Sequence, residues 1–172
     1  MRRKKFAGIL FLISVVALVF LSGCGQEQEG DILEEPEITV EYLSGDYADQ
    51  LLRDGGEKEL GAIRIKEEKD GKYALTVESM VIVESSYDKD GYYVADKNLS
   101  TTVPLDSEAR VTYIKDKKKG PEVMELDTFI EKVQKDAKSE DFTDPDAEKL
   151  YDVYIIGGNA LMLLAKEMPD AK

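Results

Sequence analysis

The chain has 172 residues, with 36 acidic side chains against 23 basic ones, no histidine, no tryptophan and a single cysteine. The missing histidine removes His-based triads and the usual zinc ligand, and a lone cysteine allows neither an intrachain disulfide nor a thiolate metal site. A net charge of −13 opposes nucleic-acid binding, which depends on Lys and Arg neutralising phosphate, so no nucleic-acid partner is expected.

Arg2, Arg3, Lys4 and Lys5 open the chain, and residues 6 to 25 carry no charge. A short basic region before an apolar one is the pattern of a secretory signal. The apolar stretch Phe6 to Leu21 falls short of the about 20 residues of a membrane span, and it runs into the small pair Ser22-Gly23. Leu21-Ser22-Gly23-Cys24 resembles the lipobox of bacterial lipoproteins, in which the cysteine sulfur receives a diacylglycerol and becomes the new N-terminus. A thiolate is the nucleophile that thioether formation needs. An uncleaved anchor, or an ordinary signal with an incidental Cys24, are the alternatives; the twin arginine is not followed by the rest of a Tat motif. Residues 1–23 are therefore expected to be a lipoprotein signal peptide. Cys24 then anchors the protein to the cell membrane, facing outside the cytoplasm. One acyl chain binds membranes only marginally, at about 10⁴ M⁻¹, whereas two anchor stably.

Removing residues 1–23 takes away four basic residues and no acidic one, leaving 19 Lys+Arg against 36 Asp+Glu over 149 residues, a net charge of −17. "GQEQEGDILEEPEI" is polar and acidic, and residues 24–37 read as a disordered tether. By random-coil scaling it spans about 20 Å. Residues 38–169 follow as a single β-rich domain.

"ITVEYLS" (Ile38 to Ser44) is β-branched and alternating, which predicts a strand. "GDYADQLLRDGG" predicts a short helix stopping at Gly55-Gly56. "GAIRIKEEKDGKYALTVESMVIVES" predicts two strands around Asp70-Gly71, with a type I′ turn that needs positive φ at both central residues. A second turn, "DKDG" (Asp88 to Gly91), leads into the extended run "YYVADKNLSTTVPL". "ARVTYI" (Ala109 to Ile114) predicts a further short strand. In "MELDTFIEKVQKDAK", Leu126, Phe129, Ile130 and Val133 fall at helical spacing. Lys149 to Ile156 predicts a strand. Beyond Gly157-Gly158-Asn159, residues 160–168 fit either a closing strand of a hairpin or a helix with Asn159 as N-cap; the hairpin is favoured.

The resulting α+β order is three strands, a helix and two strands, preceded by an extra strand and short helix. That is the element order of a small antiparallel OB-like β-barrel. "VPLDSEARVTYI", the "MELDTFIEKV" helix and the closing "YDVYIIGGNALMLLAKEMP" resemble small extracytoplasmic domains of uncharacterised lipoproteins from Gram-positive, clostridium-like bacteria. The resemblance covers roughly residues 91 to 169 and implies no catalytic residues and no cofactor.

"SSYDKDG" fits an EF-hand loop only if Ser86 stands at its first position, which leaves Lys97 where a bidentate glutamate belongs. Ser86-Tyr87-Asp88-Lys89 matches S-x-x-K without the helix start or K-T-G that the serine–lysine enzymes require. A hairpin turn accounts for the stretch. Asp141, Asp144 and Asp146, beside Glu148, are weak candidates for a hard cation against the alternative of a solvated acidic loop. "KDKKKG" (Lys115 to Gly120) is a basic island that reads as a solvated turn, with contact to lipid headgroups or wall phosphates as the alternative. Tyr87, Tyr92 and Tyr93 flank one turn and are weak candidates for a binding patch, since tyrosine supplies contact area at low entropy cost; packing is the alternative. The expected function is a lipid-anchored binding or envelope-interaction module without catalysis, its partner an envelope protein or small ligand. The alternative is a wall-acting hydrolase with two carboxylates 5–10 Å apart.

Overall fold

In the computed structural model of the chain, the described residues are 36–116, 118–139 and 149–169, all within the unit Pro36–Lys172. Thr39 opens the fold as a helix N-cap, its side-chain oxygen accepting from the Tyr42 N–H at 3.1 Å. The strand predicted for residues 38–44 is therefore absent. Its β-branched residues Ile38, Thr39 and Val40 sit at and just before the first turn, where a capping threonine is favoured. The helical segment 40–53 (α1) runs as α-helix Val40–Tyr42, a π-helical stretch Leu43–Tyr47 and α-helix Ala48–Arg53. In the π stretch the Ala48 N–H reaches back to Leu43 C=O, and this wider turn brings Leu43, Ala48 and Leu51 onto one buried face. The helix predicted in "GDYADQLLRDGG" is present and ends before Gly55, whose φ of +89° suits a glycine C-terminal stop.

Among the described residues six strands follow: β1 Glu57–Glu67, β2 Tyr73–Glu84, β3 Tyr92–Tyr113, β4 Glu122–Met124, β5 Leu150–Ile156 and β6 Asn159–Ala165. Helix α2, Leu126–Ser139, lies between β4 and β5. The sheet is mixed, in the order β2-β1-β5-β6-β3-β4, and β2 also pairs with β3. Pairing thus runs in a cycle, β1-β2-β3-β6-β5 and back to β1. All of its pairs are antiparallel except β3 with β6. The fold class is α+β with a sheet largely closed on itself.

The three predicted hairpins around glycine turns, at Gly71, Gly91 and Gly157-Gly158, are present. Between β1 and β2, Glu68 N–H donates to Lys72 C=O and Gly71 N–H to Glu68 C=O. Only Gly71 has positive φ (+76°), so this is a type I turn with a glycine bulge, one residue longer than the expected type I′. The two-residue form occurs instead between β5 and β6, where Ile156 pairs with Asn159 across Gly157 and Gly158, at φ +57° and +81°. Residues 160–165 are accordingly strand, not helix.

The two extended runs before and after "LDSE" form one strand, β3, 22 residues long. The apparent break is an irregularity: Leu105 pairs with Ala160 and Arg110 with Met162, so β3 bulges between them. The three-residue β4 carries too little pattern for detection and pairs with the end of β3.

The main core joins Leu75, Val77, Val111, Val153 and Leu163 from the sheet to Phe129, Ile130 and Val133 of α2. Phe129 makes edge-on contacts with Tyr113 and Tyr151, at 6.4 and 5.6 Å between ring centres. On the opposite face of β5 and β6, Tyr154, Met162 and Leu164 pack under α1. These two strands are buried on both faces, which explains the unbroken apolar run Leu161-Met162-Leu163-Leu164. At Gly61, β1 and β2 come so close that a Cβ would stand 2.3 Å from Glu78 C=O. Among the described residues, no helix is long and apolar enough to cross a membrane.

Candidate functional site

Past Ser79, β1 no longer pairs with β2: its ladder ends at Gly61 opposite Ser79. β6 meets β3 only from Leu105 onward. Residues 80–84 and 92–96 therefore continue as a two-stranded arm, closed by the turn 85–91, in which Ser85 N–H donates to Gly91 C=O and Gly91 N–H to Asp88 C=O. At the root of the arm, Lys97, Asn98 and Leu99 have no partner on β2, since Glu78 pairs with Ser100 and Met80 with Asp96. Asn98 takes φ +54° there, its N–H bonded to Asp96 Oδ1 at 2.6 Å, and Leu99 projects with 62% of its surface exposed.

The two faces of the arm differ, as strand alternation requires. Met80, Ile82 and Val94 pack on Ala62, Leu60, Leu150 and Met168. Val81 and Tyr93 are exposed on the other face, beside the half-buried Val83 and Ala95. Of the sequence-predicted tyrosines, Tyr87 stands fully exposed in the turn and Tyr93 lies on the open face. Tyr92, its strand neighbour, is half-buried and points to the opposite face. The three share one arm without forming one patch. "SSYDKDG" is the turn of this arm, and the described residues of "KDKKKG", all but Lys117, follow the end of β3, where Lys115 pairs with Glu122. Asp141, Asp144, Asp146, Glu148, Cys24, Leu21, Ser22 and Gly23 lie outside the described residues. Among the described residues, no three acidic, histidine or cysteine side chains gather to hold a metal.

A polar cluster that sequence reading missed joins α2 to the sheet. Tyr113 donates its hydroxyl proton to Asp136 Oδ2 at 2.7 Å, and Lys149 Nζ donates to the same carboxylate at 2.7 Å and to the phenol oxygen at 2.6 Å. Lys132 Nζ lies 5.5 Å from the centre of the Tyr113 ring. Burial pushes the Tyr113 phenol above its ordinary value, helped by its bond to Asp136. Burial works against the Asp136 charge, but the bonds from Lys149 and Tyr113 outweigh it and lower the carboxyl pKa. Burial likewise works against the Lys149 charge, and the bonds to Asp136 and Tyr113 raise its pKa overall. At neutral pH the Asp136 carboxylate, the Lys149 ammonium and the protonated Tyr113 phenol are bonded to one another and join α2, β3 and the start of β5. One sequence signal pointed to it. Asp136 stands three residues after Val133 and seven after Phe129, on the apolar stripe of α2, and a carboxylate there requires a partner.

A second ion group, Asp152 between Lys58 (3.0 Å) and Lys166 (3.6 Å), ties β1 and the end of β6 to β5. The chain matches no family model, no curated protein and no solved structure.

Proposed function

We propose that this chain is a lipid-anchored extracytoplasmic binding or envelope-interaction module that works without catalysis. The observation that carries the reading is the ordered series at the N-terminus: four basic residues, the apolar run Phe6 to Leu21, the small pair Ser22-Gly23 and then Cys24. Diacylglycerol on Cys24 holds the protein to the membrane as one of the lipoproteins of Gram-positive, clostridium-like bacteria. The domain is an OB-like barrel. Supporting this are the pairing cycle β1-β2-β3-β6-β5, the parallel β3–β6 pair and the helix between β3 and β5. Supporting a binding role is the arm of β2 and β3, with Tyr87, Tyr93 and Val81 exposed. Its partner is an envelope protein or a small ligand, and the acidic surface keeps nucleic acid away.

Substituting Cys24→Ala and following metabolic labelling with a fatty acid tests the anchor. The variant should lose all label and accumulate as precursor or soluble protein. A mature-sized variant that still partitions into membranes would overturn the lipoprotein reading.

A further inference from the structure

The free edges of the arm are unequal. Along β3, residues 92–96 are followed directly by Lys97 and the bulge at Asn98, and further on by Pro104, devices that discourage a guest strand from extending past the root of the arm. Along β2, residues 80–84 read Met-Val-Ile-Val-Glu, with no proline, glycine, lysine or bulge. Among the described residues, no strand other than β3 pairs with them. Ladder alternation fixes which groups face the open side. Ser85 is hydrogen-bonded to Gly91, so in the register that follows, Val83–Tyr93 and Val81–Ala95 are the bonded pairs. The N–H and C=O groups of Ile82 and Glu84 then point away from β3, while Met80 is buried beside the end of the β1 ladder.

We propose that this edge of β2 receives an extended basic peptide segment of an envelope partner, added as a further strand. Backbone bonds from residues 82 and 84 supply the pairing, and alternate side chains of the guest lie beside Val81 and Val83 on the open face. Charge selects the guest: residues 80–96 carry Glu84, Asp88, Asp90 and Asp96 against Lys89 alone, within a chain of net −13. A second copy would bring the same negative charge to the edge, whereas a lysine-rich strand is attracted to it. Such docking rests on the binding-module reading proposed above and gives it a partner class.

The test uses the full chain in non-ionic detergent, probed with a short alternating Lys–Val peptide and read by amide hydrogen exchange in NMR. The peptide should slow exchange at Ile82 and Glu84 by at least about tenfold. The Val81 and Val83 amides, already bonded to β3, should change little. Val81→Lys should abolish the protection without altering the melt. Glu84→Pro, which removes one outward N–H and leaves the β3 ladder whole, should abolish it at Ile82. Three results would overturn the proposal: no protection at these amides, equal protection by a Glu–Val peptide, or protection that rises with protein concentration in the absence of peptide. The last would make a second copy the occupant. Lipid labelling at Cys24 is independent of each outcome, so failure of this docking is distinguishable from failure of the lipoprotein reading.

Discussion

Lys149 Nζ lies 2.7 Å from Asp136 Oδ2, and this contact ties the entry to the β5–β6 hairpin to the last turns of α2. The same carboxylate oxygen accepts from Tyr113, at the end of β3. Three elements far apart in sequence thus meet on one oxygen atom.

The pH dependence of stability follows from this cluster. The Asp136 pKa is lowered on folding, so its contribution is present above the ordinary aspartate value of about 3.9 and is lost as pH falls through the folded value. The Lys149 and Tyr113 pKa values are raised, so their contribution is present below about pH 10 and is lost as pH rises through the folded values. Asp136→Asn should flatten the acid limb and, since the pair is partly solvated, cost about 1–2 kcal/mol at neutral pH. Urea titrations of both proteins between acid and neutral pH check this. Equal acid sensitivity in the two would show that Asp136 is not the responsible group.

Thr112 is buried, and its hydroxyl oxygen accepts the Ala165 N–H at 2.8 Å. Thr112→Val keeps the shape and leaves that N–H without its acceptor, so it should cost about 1–3 kcal/mol. Thr112→Ser, which keeps the oxygen, should cost less. The order of the two denaturation midpoints is the measurement.

Gly61 should tolerate no side chain. A Cβ there would lie 2.3 Å from Glu78 C=O and 2.7 Å from Val77 Cγ1, and the first of these is backbone that cannot move without parting β1 from β2. Gly61→Ala should therefore lower stability by about 1–3 kcal/mol. Gly45, where a Cβ would meet nothing within 4 Å, is the control, and the same exchange there should cost far less.

What the sequence disclosed was local. Asp70-Gly71, Asp88 to Gly91 and Gly157-Gly158 marked the three hairpins because turn geometry selects its own residues. Phe129, Ile130 and Val133 marked α2 because one helix face repeats every three to four residues. Residues 38–44 misled because β-branched side chains suit a strand and also suit the positions around a helix cap. The continuity of β3 through "LDSE" depends on partners in β2 and β6, which no local pattern describes. Of the Tyr113–Asp136–Lys149 cluster, only the place of Asp136 on the apolar stripe of α2 was a local sign; its two partners come from elements far away in sequence. The open edge at residues 80–84 was invisible for a related reason: a strand's own sequence does not reveal where its neighbour departs.

Truncation after Gly157 tests how far the fold depends on β6. This strand lies between β5 and β3, pairing with both, and it fills both sides of the sheet. Leu163 belongs to the core under α2, while Met162 and Leu164 belong to the cluster under α1. Burying one such side chain stabilises by about 1.5–3 kcal/mol, so losing Met162, Leu163 and Leu164 removes about 5–9 kcal/mol. That is comparable to the whole stability of an ordinary domain, about 5–15 kcal/mol. The cut also opens the β1-β2-β3-β6-β5 cycle and leaves unpaired edges on β5 and β3, both apolar and prone to pair with other chains. The truncated protein should be unfolded or aggregated, with no cooperative melt by circular dichroism. A cooperative transition with dispersed amide resonances would mean that the cycle is not what holds the sheet, and that α1 and α2 stabilise the remaining strands without β6.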